Sequence, residues 1–229
     1  MKRLKNLEFE YNGNHYELGF TINEVKEFAT YSRKRSGRVK DTDFLKLALR
    51  KYSKVGYLTD KMVEEVNDVL YNGIETPELG HMSYTELFQY LIDLYIQAID
   101  EEASKVAPAV INIEKDNTVS VTVDDEAYKL MFTREIIQDG LQSDIFDFNN
   151  ILELYIMGST LIRTSLEHYK KHFSVNLHDH IFLSIWATKF EESTEDDLAE
   201  VLHALTYHMK DVLESGIKKS KPPIKATVK

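Results

Sequence analysis

His168 and His172 stand four residues apart on a predicted helix, which puts both imidazoles on one face, the spacing a two-histidine zinc clamp uses. His178 and His180 follow as a His-x-His pair, and His203 and His208 lie on the last predicted helix, so six of the eight histidines fall in the second half of the chain. A metal centre needs three or four converging ligands. The sequence has no His-Glu-x-x-His order and no further ligand on the same element, so these histidines read as exposed or half-buried polar positions. No metal ligand is assigned.

Four adjacent carboxylate pairs, Glu64-Glu65, Asp124-Asp125, Glu191-Glu192 and Asp196-Asp197, invite an acid/base reading. Neighbouring acids on a helix or turn point into solvent, however, and a glycosidase pair has to converge across a cleft. There is no Gly-x-Ser-x-Gly elbow, no glycine loop ending in Gly-Lys-Ser/Thr and no cysteine to serve as thiolate or disulfide. Catalytic and cofactor-binding residues are therefore left unassigned, and the chain reads as non-enzymatic. The basic run Arg33, Lys34, Arg35, Arg38 and Lys40 lacks the interleaved aromatics of a nucleic-acid platform. It reads as a solvated loop. Phe44, Tyr52, Phe88 and Tyr95, on helical spacings, read as core.

Composition sets the frame. The 229 residues are 43% hydrophobic and 29% charged, with a formal net charge of −10. That balance suits a soluble globule and opposes wrapping duplex DNA by counterion release. No apolar run approaches the ~20 residues of a membrane span. The opening Met1-Lys2-Arg3-Leu4-Lys5-Asn6 leads into alternating apolar and acidic residues rather than a signal-peptide core, so the expected location is the cytoplasm.

The elements that must position these residues come in two sets. Leu7 to Val25 reads LEFEYNGNHYELGFTINEV, and Val119 to Ile137 reads VSVTVDDEAYKLMFTREII. Tyr16, Leu18, Phe20 and Thr21 fall on Tyr128, Leu130, Phe132 and Thr133. A two-residue turn at Asn12-Gly13, the strongest short hairpin signal, sets Phe9 opposite Tyr16 and Leu7 opposite Leu18. Glu8, Glu10, His15 and Glu17 then take the other face. A turn at Asp124-Asp125 sets Val121 opposite Tyr128 and Val119 opposite Leu130. The same register emerges twice.

Helices follow each hairpin. Thr21 and Glu24 have capping-box spacing, while Thr133 meets Ile136 and keeps half of that cap. Phe44, Leu47, Leu58, Met62 and Val69 match Phe148, Ile151, Ile162, Leu166 and Phe173; Leu87, Leu91 and Leu94, behind Ser83 and Glu86, match Leu198, Leu202 and Leu205, behind Thr194 and Asp197. The expected fold is α+β and mostly helical: two tandem copies of a β-hairpin followed by three to four helices. Residues 1–104 form the first copy. Residues 109–217 form the second, with an added strand at Val110 to Glu114 and an inserted helix near 179–190. Residues 218–229 are expected to be a disordered basic tail.

The strand–Asn-Gly–strand EFEYNGNHYELGFT, an amphipathic helix and the pair DFLKLALRKY…LTDKMVEEVNDVL together resemble the tail assembly chaperones of long-tailed phages of low-GC Gram-positive bacteria. Those proteins typically open with NGK-Tyr-x-Leu-x-Phe and continue as acidic helical bundles. The resemblance spans residues 7 to 100, and 119 to 213 through the repeat. The duplication is a departure from their usual single copy. The resemblance implies binding of the tape-measure protein and of tail-tube subunits, with no catalytic residue and no cofactor, in an infected cell. Self-association through hairpin edges fits the same picture. The −10 charge motivates a second reading, an acidic phage-encoded inhibitor that blocks a nucleic-acid-binding enzyme.

Overall fold

The computed structural model describes residues 3–27, 41–52, 59–137, 158, 161–166, 175–190 and 197–219. It is α+β and mainly helical, and it divides into two compact units, Met1–Lys105 and Val106–Lys229.

In the first unit β1 (Leu7–Tyr11) and β2 (Asn14–Leu18) pair antiparallel, with Leu7 opposite Leu18 and Phe9 opposite Tyr16. Asn12 and Gly13 carry the positive φ angles, 49° and 74°, of the two-residue turn. Leu7, Phe9, Tyr16 and Leu18 are buried while Glu8 and Glu10 are exposed. Residues 22–27 are helical; the Glu24 carboxylate accepts from the Thr21 N–H at 2.9 Å and also from the Thr21 hydroxyl. The expected box is thus formed on its carboxylate side.

Helices α1 (Asp41–Tyr52) and α2 (Asp60–Tyr71) follow, with Thr59 capping α2 through the Met62 N–H at 3.2 Å. A short hairpin, β3 (Ile74–Thr76) with β4 (Gly80–Met82), leads into α3 (Tyr84–Ala103). A full capping box opens α3: Ser83 accepts from Glu86 N–H, and the Glu86 carboxylate accepts from Ser83 N–H. Leu87, Leu91, Leu94, Tyr95, Ala98 and Ile99 recur at three- and four-residue spacing and are buried. Phe20, Phe44 and Tyr95 close the core as a ring cluster with centroids 4.8–5.7 Å apart, and Phe88 joins it at 6.4 Å from Phe44. Tyr52's side chain lies outside the described residues.

The second unit opens on a three-stranded sheet, β5 (Val110–Ile113), β6 (Val119–Val123) and β7 (Glu126–Leu130), with β6 central. Val119 opposes Leu130 and Val121 opposes Tyr128. Asp124 and Asp125 turn the chain at φ 49° and 65°. Thr133 accepts from the Ile136 N–H at 3.4 Å, the half cap that the sequence implied. Leu161, Ile162 and Leu166 are buried on the helical residues 161–166.

The inserted segment is longer than expected. Helix α4 (Val175–Ala187) begins before residue 179 and passes at Thr188–Phe190 into a 3₁₀ turn. Residues 181–188 are buried without interruption, so α4 is a core helix, and an all-round apolar run gives no periodicity by which to place its start. Helix α5 (Asp197–Lys219) buries Leu198, Val201, Leu202 and Leu205. It continues through Lys218 and Lys219, where a disordered tail was expected, because lysine is a good helix former. Phe148, Ile151, Phe173, Thr194 and residues 220–229 lie outside the described residues.

Candidate functional site

Among the described residues the histidines do not converge on a common site. His178 is buried within α4, and His203 is exposed on α5. His180 reaches across to the hairpin turn, with Nε2 2.7 Å from the Asp124 carboxylate. His208 is buried, and its Nδ1 lies 3.0 Å from the Asp116 carbonyl oxygen, which accepts its N–H. His168 and His172 lie outside the described residues, as do Arg33, Lys34, Arg35, Arg38 and Lys40. Among the described residues no three His, Asp or Glu side chains are placed to hold a metal ion. Glu64 and Glu65 are exposed, as are Asp124 and Asp125.

A buried ion pair joins Arg163 to Asp179 on α4, with both side chains less than a tenth exposed. Such a pair fixes the helical residues 161–166 against α4, and losing one partner would leave an uncompensated charge in the core.

Among the described residues, one cavity of a size to hold a ligand lies in the first unit. It has a volume of about 710 Å³, within the ~300–1,000 Å³ usual for binding sites. Four parts of the chain wall it: residues 3–8 leading into β1, Glu17, Phe20 and Thr21 at and after the end of β2, the Thr76–Leu79 turn between β3 and β4, and the face of α3 that carries Tyr90, Leu94, Gln97, Ala98 and Glu101. Leu7, Phe20, Leu94 and Ala98, all buried, make an apolar floor. The rim is charged.

Local contacts hold the wall in place. Gln97 grips the Leu4 backbone at both ends: its Oε1 accepts the Leu4 N–H at 2.7 Å, and its Nε2 donates to the Leu4 carbonyl at 3.2 Å. One amide side chain thereby imitates a neighbouring strand. The Tyr90 hydroxyl donates to the Lys5 carbonyl at 2.8 Å, and burial raises the pKa of that phenol. Lys5 bonds Glu78, whose hydrogen bond and charge raise the ammonium pKa. Arg3 Nε lies 3.0 Å from Glu101.

Both cations on the rim are therefore already matched to carboxylates, and Glu8 and Glu17 are left over. These two stand directly opposite each other across the first hairpin, a placement that like charges disfavour. Asn6 Nδ2 donates to Glu17 at 2.8 Å. His15 Nε2 lies 3.4 Å from the Glu8 carboxylate, without the geometry of a hydrogen bond. The result is an acidic cleft with an apolar floor.

Sequence reasoning found the faces of the hairpin but not the cleft. The groups that build it meet over long separations: Lys5 with Glu78, Leu4 with Gln97, Arg3 with Glu101. The one local signal was Thr76-Pro77-Glu78-Leu79-Gly80, a turn sequence.

No protein-family model, no curated protein and no solved structure matches this chain.

Proposed function

We propose that the chain is a non-enzymatic tail assembly chaperone, binding the tape-measure protein and tail-tube subunits while a phage tail is built. The observation that carries this reading is the hairpin itself. The segment EFEYNGNHYELGFT, on which the resemblance rests, forms an antiparallel pair whose inner residues seat it on its own helical unit, leaving a polar outer face. A second hairpin in the same register stands in the second unit. Strand edges and grooves between helices are the two commonest ways for a protein to take up an extended or helical partner segment. An acidic, apolar-floored cleft beside one of those edges adds a surface for it.

The test is co-expression of this chain with the tape-measure and tail-tube proteins of its own genome. Affinity purification followed by size-exclusion chromatography should give a defined complex with at least one of them. A chain that elutes free of both would end the proposal.

A further inference from the structure

The two hairpins differ at one edge. In an antiparallel hairpin closed by a two-residue turn, alternate residues of each strand direct both backbone groups away from the partner strand. On β6 these are Ser120 and Thr122, which face Asn112 and Val110 of β5. The corresponding residues of β1 are Glu8 and Glu10. Among the described residues the first sheet has two strands. Strand β3 lies near β1 but pairs with β4, so among the described residues no strand meets the backbone groups of Glu8 and Glu10.

The side chains differ in step. Where the edge is filled, the outer face of the hairpin carries Ser120, Thr122, Ala127 and Lys129; where it is open, it carries Glu8, Glu10, His15 and Glu17. Edge strands are usually protected by charge against indiscriminate pairing. A strand that alternates lysine or arginine with apolar residues would meet no such barrier. Its cations would lie beside Glu8 and Glu10, relieving the Glu8–Glu17 opposition, and its apolar residues would lie on the same side as Leu7 and Phe9.

We infer that the outer edge of β1, with the acidic cleft beside it, takes up an extended basic–apolar segment of a partner protein as a third strand. The segment occupies the place that β5 occupies in the second unit. This rests on the reading of the chain as a binding protein and adds the chemistry of what is bound.

The probe is a synthetic peptide of alternating valine and lysine, titrated into the full chain. Its glutamate counterpart and a version N-methylated on the lysines, whose N–H groups form the edge that would face Glu8 and Glu10, serve as comparisons. The lysine peptide should bind, with affinity falling as salt rises. It should slow hydrogen exchange at the Glu8 and Glu10 amides by at least about tenfold. The glutamate and N-methylated peptides should not bind, and Glu8→Gln with Glu10→Gln should weaken the lysine peptide by about threefold or more.

Absence of binding, equal binding of all three peptides, or binding that leaves the Glu8 and Glu10 amides unchanged would overturn the inference. So would protection of those amides in a peptide-free dimer, which would give the edge to a second copy. The two readings fail separately. A chain that captures tail proteins but ignores the lysine peptide loses only this inference, and one that takes the peptide but binds no tail protein loses only the proposed function.

Discussion

Phe9 stacks on Tyr16 directly across the first hairpin, their ring centroids 5.2 Å apart and their planes 14° from parallel. At the same step of the second hairpin Val121 faces Tyr128. An aromatic or β-branched residue against a tyrosine is the kind of cross-strand pair that stabilises a sheet, and here it also presents the face that packs on the helices. Replacing Phe9 or Tyr16 by alanine should cost about 3–5 kcal/mol of first-unit stability. The double variant should cost about 0.5–1.5 kcal/mol less than the sum, the share belonging to the ring contact itself. Urea unfolding of the four proteins measures the coupling; strict additivity would show that the rings merely coexist.

The two turns should respond in opposite directions. Gly13 sits at φ 74°, where a β-branched side chain is strained, so Gly13→Val should destabilise by about 1–2 kcal/mol. Asp125 sits at φ 65°, and Asp125→Gly should stabilise the second unit by about 1 kcal/mol. Asp124 is left intact in this test because it pairs with His180. Thermal denaturation of both variants decides the matter.

The cap of α3 ties stability to acid. The Ser83 hydroxyl and N–H both donate to the Glu86 carboxylate, at 2.6 and 2.9 Å, and these bonds hold its pKa below the usual glutamate range. A lowered folded pKa means that the contribution is present above the ordinary glutamate value and fades as pH falls through the lowered one. In an NMR titration Glu86 should therefore be among the last glutamates to protonate. Ser83→Ala should return it toward the ordinary value and cost α3 about 1 kcal/mol of capping.

At the alkaline end the relevant group is Tyr128. Burial, then the bond its hydroxyl donates to Glu126 at 2.7 Å, push its pKa up to about 12. For a raised phenol the stabilisation is complete below the ordinary value of ~10 and is lost as pH climbs from there toward the folded value. Second-unit stability should fall across that interval, and Tyr128→Phe should flatten the dependence. Absorbance at the phenolate band, compared between the two proteins, assigns the late step.

Gln97→Ala should loosen one wall of the cleft without unfolding α3, since Gln97 is only half-buried and the helix core lies on other residues. The loss is two hydrogen bonds to the Leu4 backbone, roughly 1 kcal/mol or somewhat more. Hydrogen exchange at the Leu4 amide should quicken while that of Leu91 and Tyr95 holds. Unchanged exchange at Leu4 would mean that residues 3–6 are held by something else.

What the sequence disclosed follows the range of the interactions involved. Period-two alternation and turn chemistry are local, so the register of both hairpins, Phe9 with Tyr16 and Val121 with Tyr128, was readable residue by residue. The strand at Val110–Ile113 was readable for the same reason. The β3–β4 hairpin was missed although Pro77 and Gly80 mark its turn, because three-residue strands are too short to show alternation. The start of α4 was misplaced because a helix buried on every side has no polar face to count from. The acidic cleft was out of reach: Gln97 on α3 becomes a partner of Leu4 only after the chain has folded back across the whole first unit.

Gly19, where the chain leaves β2, controls more than its own position. Its N–H donates to the Ala48 carbonyl at 3.4 Å, and a methyl group there would fall 2.3 Å from the Asn6 amide oxygen. The vacancy left by the missing side chain is thus the seat of Asn6, the residue that steadies Glu17. Exchanging that glycine for alanine would evict the Asn6 amide from its seat, releasing Glu17 and reshaping the adjoining hollow, with every residue that lines the hollow still in the sequence.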